Sequence, residues 1–181
     1  MGVILIAGMR FRRTLACVVG IGAAICAIAI AAPVPRPAPA FAMNMTDGTK
    51  TSLQKYRGKV VVLAFIKTGC SHCQAVTGTF EQLQTELGAR GFQVLEAAVD
   101  DDAKEHVTDF AAKFKVNFPV GWSDGPDAFP VLRPDPTKLV MMPQCVLVDR
   151  RGIIRAQFSG EDSLFEGDAH QKLTALIEKY L

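Results

Sequence analysis

Val60-Val61-Val62-Leu63-Ala64-Phe65-Ile66-Lys67-Thr68-Gly69-Cys70-Ser71-His72-Cys73 is the stretch on which the reading of this chain turns. The apolar run Val60 to Ile66 predicts a strand covered on both faces, as in the middle of a parallel sheet. Two cysteines follow, separated by Ser71 and His72, and Gln74 to Leu87 then carries Phe80, Leu83 and Leu87 at helical spacing. A C-x-x-C at a strand-to-helix junction sets its first sulfur near the free N–H groups of the helix's first turn. The positive end of a helix favours thiolate over thiol there. A thiolate attacks disulfides, and a second cysteine one turn along can resolve the mixed disulfide. The stretch therefore points to thiol–disulfide exchange.

Outward from this centre, Tyr56-Arg57-Gly58-Lys59 leads into the strand, and Asp47-Gly48 within Met43 to Leu53 signals a small hairpin. After the helix, Gly88 and Gly91 mark its end, and Phe92 to Val99 predicts a second strand. Asp100-Asp101-Asp102 closes that strand and suits the start of a helix over Ala103 to Phe114, with Val107, Phe110, Ala111 and Phe114 on one face. The three aspartates lack further ligands at loop spacing, so helix capping is preferred to a hard-cation site. Val116 to Val120 reads as short and extended, and the prolines from Ser123 to Pro136 predict an irregular surface loop facing a partner. Gln144 to Asp149 and Ile153 to Ser159, joined by Arg150-Arg151-Gly152, predict two antiparallel strands. Leu173, Leu176, Ile177 and Tyr180 mark a closing amphipathic helix. The order is β-α-β-α-β-β-α after an N-terminal hairpin, an α/β domain.

The N-terminus differs in kind. Arg10-Phe11-Arg12-Arg13 precedes Leu15 to Ala32, which carries no charge, as in a secretory signal peptide or signal anchor. Ala40-Phe41-Ala42 offers a small-x-small cleavage site, and the run reaches the lower edge of what spans a bilayer. Cleaved and anchored forms both stay open; either places the body outside the cytoplasm. Pro33 to Pro39 reads as an extended Pro-rich spacer. The expected division is thus a leader and spacer over 1–42 and one folded domain over 43–181. Four of the 20 basic residues precede Met43, so 16 bases face all 18 acids from there on, a net charge of −2. No basic stripe interleaved with aromatics appears, which argues against a nucleic-acid partner. Cys17 and Cys26 fall in the leader, and Cys70, Cys73 and Cys145 are too few for a disulfide framework. Structural zinc needs four ligands, and His106, His170 and Cys145 complete no second pair at ligand spacing.

The C-x-x-C between first strand and first helix, with Met142-Pro143 before the third strand, resembles the thioredoxin fold: a three-layer sandwich with a central mixed sheet. The leader, Tyr56-Arg57-Gly58-Lys59, Val116-Asn117-Phe118-Pro119-Val120 and Val148-Asp149-Arg150-Arg151-Gly152-Ile153-Ile154 are similar to the TlpA/ResA branch of exported thiol–disulfide oxidoreductases. The resemblance spans roughly Thr46 to Leu181. It implies Cys70 as the attacking thiol, Cys73 as the resolving one, and Pro143 as a cis-proline against the redox-active disulfide. It also implies that Met142, with Gly69 and Ser71 beside the cysteines, lines the substrate site. A protonated His72 inside the motif would favour the reduced pair and make the site more oxidising. The cofactor is the Cys70–Cys73 dithiol itself, with no metal. The implied partners are exported protein thiols or disulfides, such as apocytochrome c or copper-site proteins, and a membrane electron donor. The implied direction is reductive.

The pattern departs from its relatives at informative places. Thioredoxins carry an acid where this chain has Ala64 and usually Trp where it has Gly69; the ResA branch often has Glu where it has Val76. The expected replacement is Glu96, in the second strand, which if buried beside the pair would take the proton of Cys73. The competing reading places Glu96 on an exposed face or pairs it with Lys67. Cys145 reads as an inert core thiol. Two rivals share the fold. A peroxiredoxin-like peroxidase is disfavoured because Thr68 stands only two residues before Cys70, and a copper chaperone would require a distant His at the cysteines.

Overall fold

The computed structural model describes residues 33–181. The expected leader lies outside the described residues. Among the described residues no helix is long and apolar enough to cross a membrane.

Eight strands form one mixed sheet: β1 (Arg36–Pro37), β2 (Ala42–Asn44), β3 (Lys50–Ser52), β4 (Val60–Ile66), β5 (Phe92–Ala98), β6 (Val120–Trp122), β7 (Gln144–Val148) and β8 (Ile153–Ser159). Their order across the sheet is β1-β8-β7-β4-β5-β6-β2-β3. β4 lies at its centre, parallel to β5 and antiparallel to β7, and all of its side chains are buried. The helices are α1 (Ser71–Leu87), α2 (Ala103–Phe114), α3 (Phe129–Leu132) and α4 (Ala169–Glu178).

Alternation along β4 divides the core in two. Val60, Val62, Ala64 and Ile66 pack with Phe80 and Leu83 of α1, Val107 and Phe110 of α2, and Leu173 and Ile177 of α4. Val61, Leu63 and Phe65 face the other way, toward Phe41, Leu53, Val131 and Leu132. Each fully buried Phe or Leu contributes roughly 1.5–3 kcal/mol against leaving it in water. The three layers of the expected sandwich are therefore unequal: three helices on one face, and on the other the short α3 with the N-terminal segments. The expected hairpin is β2–β3, in register Met43↔Thr51. At its turn Gly48 has φ +81°, and Asp47 Oδ1 accepts from Thr49 N–H at 2.9 Å.

Three expectations are corrected. The Pro33–Pro39 stretch is no free spacer, because β1 pairs with β8 (Arg36↔Ile154) and Ala38 N–H donates to Gly152 O at 2.9 Å. The Arg36 guanidinium donates to Val131 O at 2.8 Å, and Phe41 meets Phe65 edge-on at 5.0 Å. The folded body therefore begins before Met43, since the open edge of β8 supplies partners that a proline-rich segment can still use. The Ser123–Pro136 loop contains a 3₁₀ turn (Gly125–Ala128) and α3, with Val131 and Leu132 buried in the second core. Prolines are tolerated there because they fall in first turns, where no intrahelical N–H is required. The extended segment near Val116 becomes a strand only at Val120–Trp122, parallel to β5, so β5-α2-β6 is a second parallel crossover.

Candidate active site

Cys70 is the N-cap of α1. Its sulfur accepts from the Cys73 backbone N–H at 3.3 Å, one of the donors that a helix start leaves without an intrahelical partner. In the loop before it Thr68 is tied through both of its backbone groups: its N–H donates to Asp100 Oδ2 at 2.7 Å, and its carbonyl accepts from Gln74 Nε2 at 2.9 Å. The aspartate triplet thus works differently from the expected capping. Asp102 is the N-cap residue of α2 without a side-chain cap bond, while Asp100 anchors the cysteine loop. Both cysteines are free thiols; Cys70 is half-buried and Cys73 buried. Met142-Pro143 is a cis peptide, and Cys70 Sγ lies 4.0 Å from Met142 O. Gly69 and Ser71 are exposed beside Cys70, and Met142 is partly buried.

Behind the half-buried sulfur the environment changes. Burial pushes the Cys73 thiol up, the hydrogen bond to Cys70 adds to this, and only the Lys67 N–H, 3.5 Å from the sulfur, acts the other way. The strand register places Glu96, Ala64 and Cys145 side by side on β5, β4 and β7. Glu96 is 0 % exposed. Its carboxyl is pushed up to about 8 by burial, with a smaller opposing pull from Thr77. Thr77 Oγ1 lies 3.0 Å from Oε1 and 3.2 Å from Oε2. The alternatives for Glu96 are overturned: Lys67 is exposed, and no ion pair among the described residues includes Glu96. The Cys73 and Cys145 thiols are both raised further by the nearby Glu96 charge. The acid absent from position 64 has a counterpart one strand away.

His72 is exposed on the first turn of α1 and lines a hollow of about 470 Å³ with Val76, Gly160, Glu161, Phe165 and Glu166. The structure thus brings Cys70 and Met142 together at the surface, buries Cys73 behind them with Glu96 beneath, and leaves His72 at the rim. His106 and His170 pair with Asp102 and Glu86, at 3.2 and 3.0 Å, and no three potential metal ligands converge among the described residues.

Sequence reasoning missed two residues that shape the site. Gly160 N–H donates to Pro143 O at 2.8 Å, and a Cβ on Gly160 would stand 3.0 Å from Pro143 Cδ. Only glycine lets the chain leaving β8 approach the cis peptide so closely. Thr77 is the other; its signal was its place one helical turn after Cys73, on the same face.

Residues 34–157 match the AhpC/TSA family, about two thirds of the chain. The chain belongs to the AhpC/TSA family. Within it, the TlpA/ResA resemblance agrees with a curated relative, the thiol-disulfide oxidoreductase ResA of Bacillus thuringiensis subsp. konkukian. The two are 24 % identical over 124 residues, 68 % of each protein. A candidate thiol:disulfide interchange protein DsbE of Chlorobium tepidum is similar in structure, with TM-score 0.64, 26 % identity, and coverage of 79 % of this chain and 96 % of that one. The thioredoxin domain of thiol-disulfide oxidoreductase BVU-2223 of Bacteroides vulgatus superposes with TM-score 0.65 at 24 % identity, covering 82 % of this chain and 98 % of that one. The AhpC/TSA match encloses Cys70, Cys73, Glu96 and Pro143 and ends within β8.

Proposed function

We propose that this protein is an exported thiol–disulfide oxidoreductase that reduces disulfides in other exported proteins. One observation carries the reading: a half-exposed sulfur caps a helix 4.0 Å from the Met142 carbonyl at a cis-proline, with a buried second thiol behind it. The Cys70 thiolate attacks one sulfur of the substrate disulfide, forming a mixed disulfide and releasing the other sulfur as thiolate. Cys73 then gives its proton to the Glu96 carboxylate and attacks Cys70. The second substrate thiolate leaves, and the Cys70–Cys73 disulfide holds the two-electron oxidation.

An extended substrate would pair with the backbone at Met142, with Gly69 and Ser71 bordering the entry. Exposed Leu139, Val140 and Met141, immediately before it, add apolar surface suited to a protein substrate. His72, when protonated, stabilises the thiolate and tunes the potential. The leader favours export, as a tether or a cleaved signal. Apocytochrome c and copper-site proteins fit as substrates by chemistry, with a membrane electron donor restoring the dithiol.

Trapping tests this reading. Cys73→Ala should accumulate mixed disulfides between Cys70 and exported proteins, which Cys70→Ser/Cys73→Ala should not. A folded, exported Cys73→Ala variant that captures nothing would refute it. Rapid oxidation of Cys70 by hydrogen peroxide with sustained turnover would instead favour a peroxidase.

A further inference from the structure

The Thr77 hydroxyl is surrounded by three oxygens: the Cys73 carbonyl at 3.0 Å and the Glu96 carboxyl oxygens at 3.0 and 3.2 Å. A hydroxyl has one proton to donate and lone pairs to accept with. It cannot donate to all three oxygens at once. When Glu96 is ionised, the proton points to the carboxylate. When Glu96 is protonated, its O–H donates to Thr77 Oγ1, and Thr77 turns its own proton to the Cys73 carbonyl. Both states leave the carboxyl partnered. A buried acid with a fixed donor is satisfied in one state and penalised in the other.

We propose that Thr77 is a positioning residue for exchange, a two-way hydroxyl that holds Glu96 beneath Cys73 and lets it both take up and return a proton. This rests on the assignment of Glu96 as the acceptor for Cys73. In the reductive direction Cys73 Sγ–H loses its proton to the Glu96 carboxylate, and the thiolate attacks Cys70. In the return direction a donor thiolate attacks Cys70, Cys73 leaves as thiolate, and the neutral Glu96 carboxyl reprotonates it. Thr77 exchanges no net proton in either step.

The surroundings give Thr77 this role without competition. The titratable groups raised by the Glu96 charge are Cys73 from α1 and Cys145 from β7. Its register neighbours on β4 and β6 are Ala64 and Val120, which carry neither charge nor hydrogen-bonding side chain. Thr77 is also the side chain whose hydrogen bond opposes the effect of burial on Glu96.

The experiment compares Thr77→Val, Thr77→Ser and Glu96→Gln in the full chain, reading the resolution of a preformed Cys70 mixed disulfide across pH. Thr77→Val should move the midpoint of that profile up by about one pH unit, and slow resolution roughly tenfold at neutral pH. Thr77→Ser should restore the profile to within about twofold, and initial attack by Cys70 on a small disulfide should stay unchanged. A wild-type profile in Thr77→Val, or equal loss in Ser and Val, overturns the proposal. Glu96→Gln separates the two claims. If it leaves the profile intact, the acceptor assignment fails; if it flattens the profile while Thr77→Val does not shift it, only the role of Thr77 fails. Should Thr77→Val not fold, ¹³C NMR titration of the Glu96 carboxyl in Thr77→Ala reads the same upward shift, and an unmoved midpoint refutes it.

Discussion

The two faces of the sheet are built from the same apolar residue types and do different work. The face under α3 is closed by Phe41, Leu53, Leu63, Phe65 and Val131, and the buried side chains clustered in its core are all apolar. The face under α1 contains Cys73, Thr77, Glu96 and Cys145, all buried among comparable apolar side chains. A carboxylate in such surroundings costs several kcal/mol unless it is neutral or partnered, so these groups are there at the expense of stability. The two faces divide the labour: one holds the sheet together, and the other gives up part of its stability to bury a carboxyl beside a thiol.

That division can be broken in graded steps. Phe65→Ala and Phe80→Ala, one on each face, should each cost about 3–5 kcal/mol in denaturant unfolding. Exchange activity per folded molecule should survive only in Phe65→Ala; equal activity losses would dissolve the distinction. Glu96→Gln should stabilise the protein at high pH. Unfolded Glu ionises near 4.5, folded Glu96 near 8, so its contribution is full below pH 4.5 and is lost as pH rises through 8. The variant should match wild type near pH 4 and exceed it by roughly 2–4 kcal/mol above pH 8, a gain discounted because Gln remains a buried polar amide. Thermal melts across that range decide it. Gly160→Ala forces a Cβ against the Met142-Pro143 peptide and should cost about 1–3 kcal/mol, with a several-fold drop in exchange rate. Smallest is His72→Gln at the exposed rim: a change of under about 1 kcal/mol, read as an up to roughly fivefold shift in the equilibrium with glutathione.

What was legible in the sequence follows from locality. The C-x-x-C, the helix after it and the Asp47-Gly48 hairpin are decided by neighbouring residues, and they lie where expected. The placement of Pro143 against the cysteines was legible only through the family pattern. Glu96 was harder, because Phe92 to Ala98 is buried at every position and gives no alternation to assign its faces. Its side is set by the register of β5 against β4, and its partner by a hydroxyl on α1. The integration of Arg36 depends on β8 and on the Val131 carbonyl of α3, both far along the chain, so no window of sequence contains it.

The pairing of β1 with β8 has a consequence in time. Arg36 hydrogen-bonds Gln157, 121 positions later, so the part of the body made first waits for a strand made near the end. Contacts of such separation slow folding, because closing a long loop costs more chain entropy than closing a short one. The edge of the sheet is thus sealed from its oldest end, and until β8 appears the segment around Arg36 has no fixed berth.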